Sequence, residues 1–191
     1  MIVSSIDLEM NQPSKNIIEI GITVGDLMTG DVLHKDGMFI KLPNDETIHP
    51  RITKLTSIRD EDLDRNGLDL REAYLLVTHI HRKYDAYRNP IVWGSGNDND
   101  SSHIKDQLER NFDVGMDFDE FCFGRRVLDI KTMFQMQFIA NGINPKCGLA
   151  KAMTRVGLQF KGKKHRAVDD AYNTFVLTHH AIKNMRGMKW T

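Results

Sequence analysis

Asp7 and Glu9 stand two residues apart in Ser5-Ile6-Asp7-Leu8-Glu9-Met10, alternating with Ile6, Leu8 and Met10. Side chains along a strand point to opposite faces with period two. A strand here sends both carboxylates from one face and the three apolar side chains from the other. Asp and Glu are poor strand formers, and like charges at neighbouring same-face positions repel. A cation relieves that repulsion, and a divalent metal with oxygen ligands fits two carboxylates at this spacing. On this segment alone an edge strand with a solvated acidic face is equally open, because D-x-E is a short and common pattern.

Other acidic places could join such a site. Asn97-Asp98-Asn99-Asp100 follows a buried segment, Ile91-Val92-Trp93, and the turn Gly94-Ser95-Gly96. A glycine-rich strand-to-helix turn lets the backbone bend sharply and present a functional side chain. The plainer alternative is a helix N-cap, where Asp is among the best residues. His165-Arg166-Ala167-Val168-Asp169-Asp170 places a histidine before a helix with two acids in its first turn. That pattern also fits plain complementarity to the helix dipole. Asp129 reads as structural or peripheral. Lys161, Lys163, Lys164 and Arg166 surround His165. The run is either a solvated loop or, beside a metal site, a track for phosphates.

The elements that must hold these residues follow from periodicity. Asn16 to Val24, with Ile18, Ile20, Ile22 and Val24 alternating, predicts a second strand antiparallel to the first, since the Asn11-Gln12-Pro13-Ser14 connection is short. Val32 to Leu42 completes a meander. Pro43 to Pro50 reads as loop, and Arg51 to Asn66 as short helical turns. Leu70 to Tyr84 is an amphipathic helix on Leu70, Ala73, Val77, Ile80 and Tyr84. A short strand at Ile91–Trp93 is followed by a helix on Ile104, Leu108 and Phe112. A last strand at Arg126–Leu128, helices at Thr132–Phe138 and Leu149–Val156, and a closing helix at Val168–Met185 complete the pattern. Antiparallel strands first, then strands alternating with helices, predict an α/β fold with a mixed sheet.

Bulk properties narrow the function. The chain has 191 residues, 40% hydrophobic and 27% charged, with formal net charge zero. That length fits one domain, residues 1–191. Zero net charge argues against a non-specific nucleic-acid coat protein, which would be basic. No run reaches the apolar length of a membrane span, and the N-terminus carries no secretory pattern. The two cysteines, Cys122 and Cys147, lack metal-ligand spacing and read as reduced thiols of a cytoplasmic protein.

Taken together, D-x-E on the first strand, an Asp after W-G-x-G, and H-x-x-x-x-D opening the last helix resemble the DEDDh, or DnaQ-like, exonucleases. Ribonuclease T and oligoribonuclease belong to that group. IDLEMNQPSKNIIEIGITV resembles the family's first two strands, WGSGNDNDSSHI its second motif, and GLAKAMTRVGLQFKGKKHRAVDDAYNT its third. The resemblance covers nearly the whole chain. It implies a ribonuclease H-like fold and 3′-to-5′ removal of nucleotides from single-stranded DNA or RNA, with two divalent cations, Mg2+ or Mn2+. It implies Asp7, Glu9, Asp100 and Asp170 as metal carboxylates and His165 as general base. Met10 lies where relatives approach the terminal nucleotide, and Lys163, Lys164 and Arg166 are expected on the nucleic-acid side. The acidic loop offers Asp98 as well as Asp100. Asp100 is preferred because it lies four residues before Ile104, on the buried side of the predicted helix, and because its spacing from Trp93-Gly94 better matches the relatives. A non-catalytic nucleic-acid-binding module and a small-molecule phosphatase are the rival readings. DNA or RNA preference is left open, and so is the oligomeric state, a homodimer included.

Overall fold

The computed structural model describes residues 1–43, 46–94, 100–112, 123 and 126–185, with residues 101, 111 and 112 described in backbone only. Asp98, Cys122 and the Phe112 side chain lie outside the described residues.

The first three strands form the expected meander. β1 (Ile2–Met10) pairs antiparallel with β2 (Ile17–Asp26), which pairs antiparallel with β3 (Val32–Phe39). β4 (Ile91–Val92) adds parallel to β1, and β5 (Leu128–Asp129) parallel to β4, giving the order β3-β2-β1-β4-β5. Parallel neighbours need a crossover. The first passes through α1 (Pro50–Thr56), α2 (Asp60–Asn66) and α3 (Leu70–Lys83), and the second through α4 (Asp100–Phe112). The remaining helices are α5 (Ile130–Ala140), α6 (Leu149–Arg155) and α7 (Ala167–Met185). β1 is therefore interior to the sheet, and the edge-strand alternative for its two acids does not hold.

Alternation along β1 and β2 decides which helices cover which face. Ile6, Leu8, Ile20, Ile22 and Val24 pack against Val77 and Ile80 of α3 and Ile104 and Leu108 of α4. Val3 and Ile91 pack on the opposite face with Phe134, Phe138, Met153, Phe175 and Leu177 from α5, α6 and α7. Each fully buried side chain of this size contributes roughly 1.5–3 kcal/mol, so both faces are strongly specified. A register slip of one residue would exchange them. α3 starts sharply because Asp69 and Glu72 form a capping box: the Asp69 side chain accepts from the Glu72 backbone N–H, and Asp69 N donates to Glu72 Oε2 at 3.1 Å. Asp69 Oδ1 also accepts from Arg71 N at 2.7 Å.

Several boundaries differ from the periodicity reading. β1 begins at Ile2 instead of Ser5, because Ser4 and Ser5 are buried polar residues that break the apolar alternation. Ser4 Oγ lies 3.0 Å from His81 Nδ1 in the first core. β3 stops at Phe39, and Ile40 then bridges to Leu68. The last strand sits at Leu128–Asp129 instead of 126–128, where Asp129 also caps α5 by accepting from Thr132 N at 3.1 Å. No described helix is long and apolar enough to cross a membrane.

Candidate metal centre

The β1 alternation sends Asp7 and Glu9 to the face covered by α7. α7 lies unusually close to the sheet there. Gly21 is opposite Asp7 in the β1–β2 register, and a Cβ on Gly21 would overlap the Ala167 carbonyl. The missing side chain lets the first turn of α7 rest on β2, so Asp170 reaches the acids of β1. The result joins the two ends of the sequence: ligand atoms of Glu9, His165 and Asp170 all lie within 4.8 Å of one another. His165 is exposed, two residues before α7, in the left-handed backbone region at φ 60°. Its backbone N–H donates to Asp170 Oδ2 at 3.1 Å. Asp100 opens α4 and is half-buried.

The electrostatics are those of a site with too much negative charge. Burial pushes the Asp7 carboxyl well above its ordinary value, and the charges of Asp100, Asp170, Glu9 and Glu19 push it further. Burial likewise raises Glu9 to about 8, with Asp170, Glu19 and Asp100 adding to the rise and Arg166 opposing it. Asp170 is raised to about 6 by burial, against the hydrogen bond from His165 N–H. Carboxylates this close cannot all ionise without a counter-charge. Hard oxygen donors with one imidazole nearby suit Mg2+ or Mn2+. The residues present fit such ions.

Glu19 and Arg166 give the site a partnership that pattern reading missed. Glu19 faces Glu9 directly across the β1–β2 pair and is 1% exposed. Arg166 grips it from Nε at 3.2 and 3.1 Å and from Nη2 at 2.9 Å, and stacks 5.2 Å from the Phe39 ring centroid. Ala167 N donates to Glu19 Oε2 at 2.9 Å. The available signal was a charged residue at a buried position within Ile17-Ile18-Glu19-Ile20, on the side of Asp7 and Glu9.

The two acids of α7 divide their work. Asp170 joins the cluster. Asp169 holds the basic loop instead, accepting from Lys163 N at 2.8 Å and from Lys35 Nζ at 2.7 Å. The loop passes so near that a Cβ on Gly162, at φ 83°, would overlap the Asp169 carboxylate. The Lys163 and Lys164 side chains are exposed. Lys164 lines a cleft of about 180 Å3 together with Leu149, Lys151, Phe160, His165 and Asp170. Met10 ends β1 half-buried against the first core. Arg166 is drawn to Glu19 and lines no part of that cleft.

The sequence model of the RNase T family, described as exonuclease, matches residues 4–178. No curated protein matches the chain. Among solved structures, the nuclease domain of 3′hExo, a DEDDh family member, bound to rAMP, is 14% identical with a TM-score of 0.76, covering 98% of this chain and 94% of that one. Cell-death related nuclease 4 is 14% identical with a TM-score of 0.78, covering 96% and 64%. E. coli Exonuclease I with a dA16 oligonucleotide is 14% identical with a TM-score of 0.68, covering 97% and 41%. The chain spans 60% of the length of a full-length 3′-exonuclease that it also matches. These likenesses carry the fold, which is ribonuclease H-like.

Proposed function

From the premise that this chain belongs to the RNase T exonuclease family, we propose that residues 1–191 form one exonuclease domain that removes 5′-mononucleotides from the 3′ ends of single-stranded DNA or RNA. Asp7, Glu9, Asp100 and Asp170 would hold two divalent cations, Mg2+ or Mn2+, with His165 as general base. The observation that carries the reading is the convergence of Glu9, His165 and Asp170 within 4.8 Å, brought from opposite ends of the chain. Similar structures support it: one shows 3′-end recognition of a histone mRNA stem-loop by a 3′-exonuclease, another is E. coli Exonuclease I with an oligonucleotide, and S. pombe Pop2p is in its Mg2+ and Mn2+ bound form.

The mechanism follows from the donors in place. When bound, the cations supply the positive charge that a scissile phosphate and its attacking water require. The half-buried carboxylates, two on the interior strand β1 and two in the first turns of α4 and α7, would fix the position of that charge. The imidazole of His165, exposed beside Glu9 and Asp170, takes the proton from the attacking water at a ring nitrogen. Imidazole suits this task because one ring nitrogen can accept a proton while the other carries one. The exposed Lys163 and Lys164 side chains meet the phosphates of the incoming strand. Arg166 contributes through Glu19.

The test compares single-stranded DNA, single-stranded RNA and duplexes with recessed ends, each with Mg2+ and with excess chelator. Cleavage of single strands in Mg2+ alone is expected. Full activity in chelator after dialysis contradicts the metal reading, and retained binding with no cleavage points to a non-catalytic module.

A further inference from the structure

Glu19 shares a sheet face with Asp7 and Glu9, stands directly opposite Glu9 and is almost wholly buried. Its oxygens are nevertheless committed elsewhere. Three short guanidinium contacts and the Ala167 backbone N–H occupy them, and a carboxylate has about four acceptor positions. Little remains for a cation. Both of its partners immediately follow His165 in the chain. On the other side, His165 N donates to Asp170, and the backbone N–H groups of Asp169 and Asp170 both donate to the Arg166 carbonyl at 2.9 Å. The segment from His165 to Ala167 is thus pinned to the sheet by Glu19 and to the helix by Asp170. His165 needs that restraint, because a non-glycine residue at φ 60° persists only where its surroundings impose it.

We infer that Glu19 and Arg166 are a positioning pair, which fixes the backbone at His165 so that the imidazole faces Glu9 and Asp170. The inference rests on the exonuclease reading above. It makes the arginine beside the general base a fixture of the loop, and Glu19 a carboxylate that orients the site without entering its ligand set. An Arg–carboxylate fork suits this role, since its paired contacts fix direction as well as distance.

The test uses the full chain with a single-stranded oligonucleotide at saturating Mg2+. Arg166→Ala, Arg166→Lys and Glu19→Gln are each assayed alone and in a His165→Ala background. Each single change is expected to lower kcat by about tenfold to a hundredfold, the usual result of a small misplacement of a catalytic group. KM should stay close to wild type, and Arg166→Lys, which keeps the charge, should also hold the calorimetric Mg2+ affinity. In the His165→Ala background the same changes should cost less than about threefold, because they act through a side chain that is gone. Arg166→Lys keeps the charge without the fork, so it reads the same coupling if Arg166→Ala folds poorly. Equal losses in both backgrounds overturn the inference. So does a loss confined to KM with a weaker salt dependence, which would make Arg166 a phosphate contact. Wild-type protein that leaves the oligonucleotide uncut removes the exonuclease reading as well, whereas active wild type with additive variants removes the positioning pair alone.

Discussion

Glu9 carries the clearest consequence at the scale of single residues. Its carboxyl rises from an ordinary value of 4.5 to about 8 here, and Asp170 rises to about 6. Between the unfolded and folded values the native state binds more protons, so stability falls with rising pH. The contribution is fully present below about pH 4 and is lost as pH rises through the folded values, about 6 for Asp170 and about 8 for Glu9. Metal-free protein should therefore melt at progressively lower temperature from mild acid to pH 8, and saturating Mg2+ should flatten that decline. A melting temperature that climbs with pH in chelator would contradict the charge balance assigned to the cluster. For the same reason Asp7→Asn and Glu9→Gln should abolish cleavage while leaving the metal-free fold intact or more stable. His165→Ala should lower turnover by about two to four decades, the usual worth of a general base. Its Mg2+ affinity should hold in calorimetry. A lost affinity would turn His165 into a ligand.

Among the elements, the contact of α7 with β2 matters most. Gly21→Ala would drive a methyl group into the Ala167 carbonyl. Overpacking against backbone costs roughly 1–3 kcal/mol, and the helix start that carries Asp170 would shift with it. Reduced melting temperature together with lost activity is expected, and a fully active variant would mean that the close approach does not set the site. The acidic loop before α4 gives a second element-level test. Asp100→Asn should lose nearly all activity and Asp98→Asn keep most of it. The reverse would move the ligand role to Asp98. Much of this scaffold was legible in the sequence. The alternation of Ile6, Leu8 and Met10 in β1 and of Ile18, Ile20, Ile22 and Val24 in β2 announced two faces, and the acids of β1 fell on one of them. What stayed hidden was partnership at long range. Nothing local ties Glu19 to Arg166, 147 residues away, and nothing in the Ile-Gly-Ile pattern says that a helix will rest on Gly21. Buried serines in β1 masked its start for a related reason: the partner that makes Ser4 tolerable is His81, on another element.

For the molecule as a whole, the fold brings residues 7–9 and 165–170 into one cluster by setting β1 inside the sheet and laying the last described helix across it. In the proposed function, this cluster removes nucleotides one at a time from a 3′ end. The most direct measurement follows a single-stranded oligonucleotide labelled at its 5′ end through a time course in Mg2+. Steady shortening through every intermediate length, absent with Asp7→Asn, is the predicted result. Release of the label as a mononucleotide at the earliest times, fragments cut from mid-strand, or the same ladder from Asp7→Asn would contradict the account.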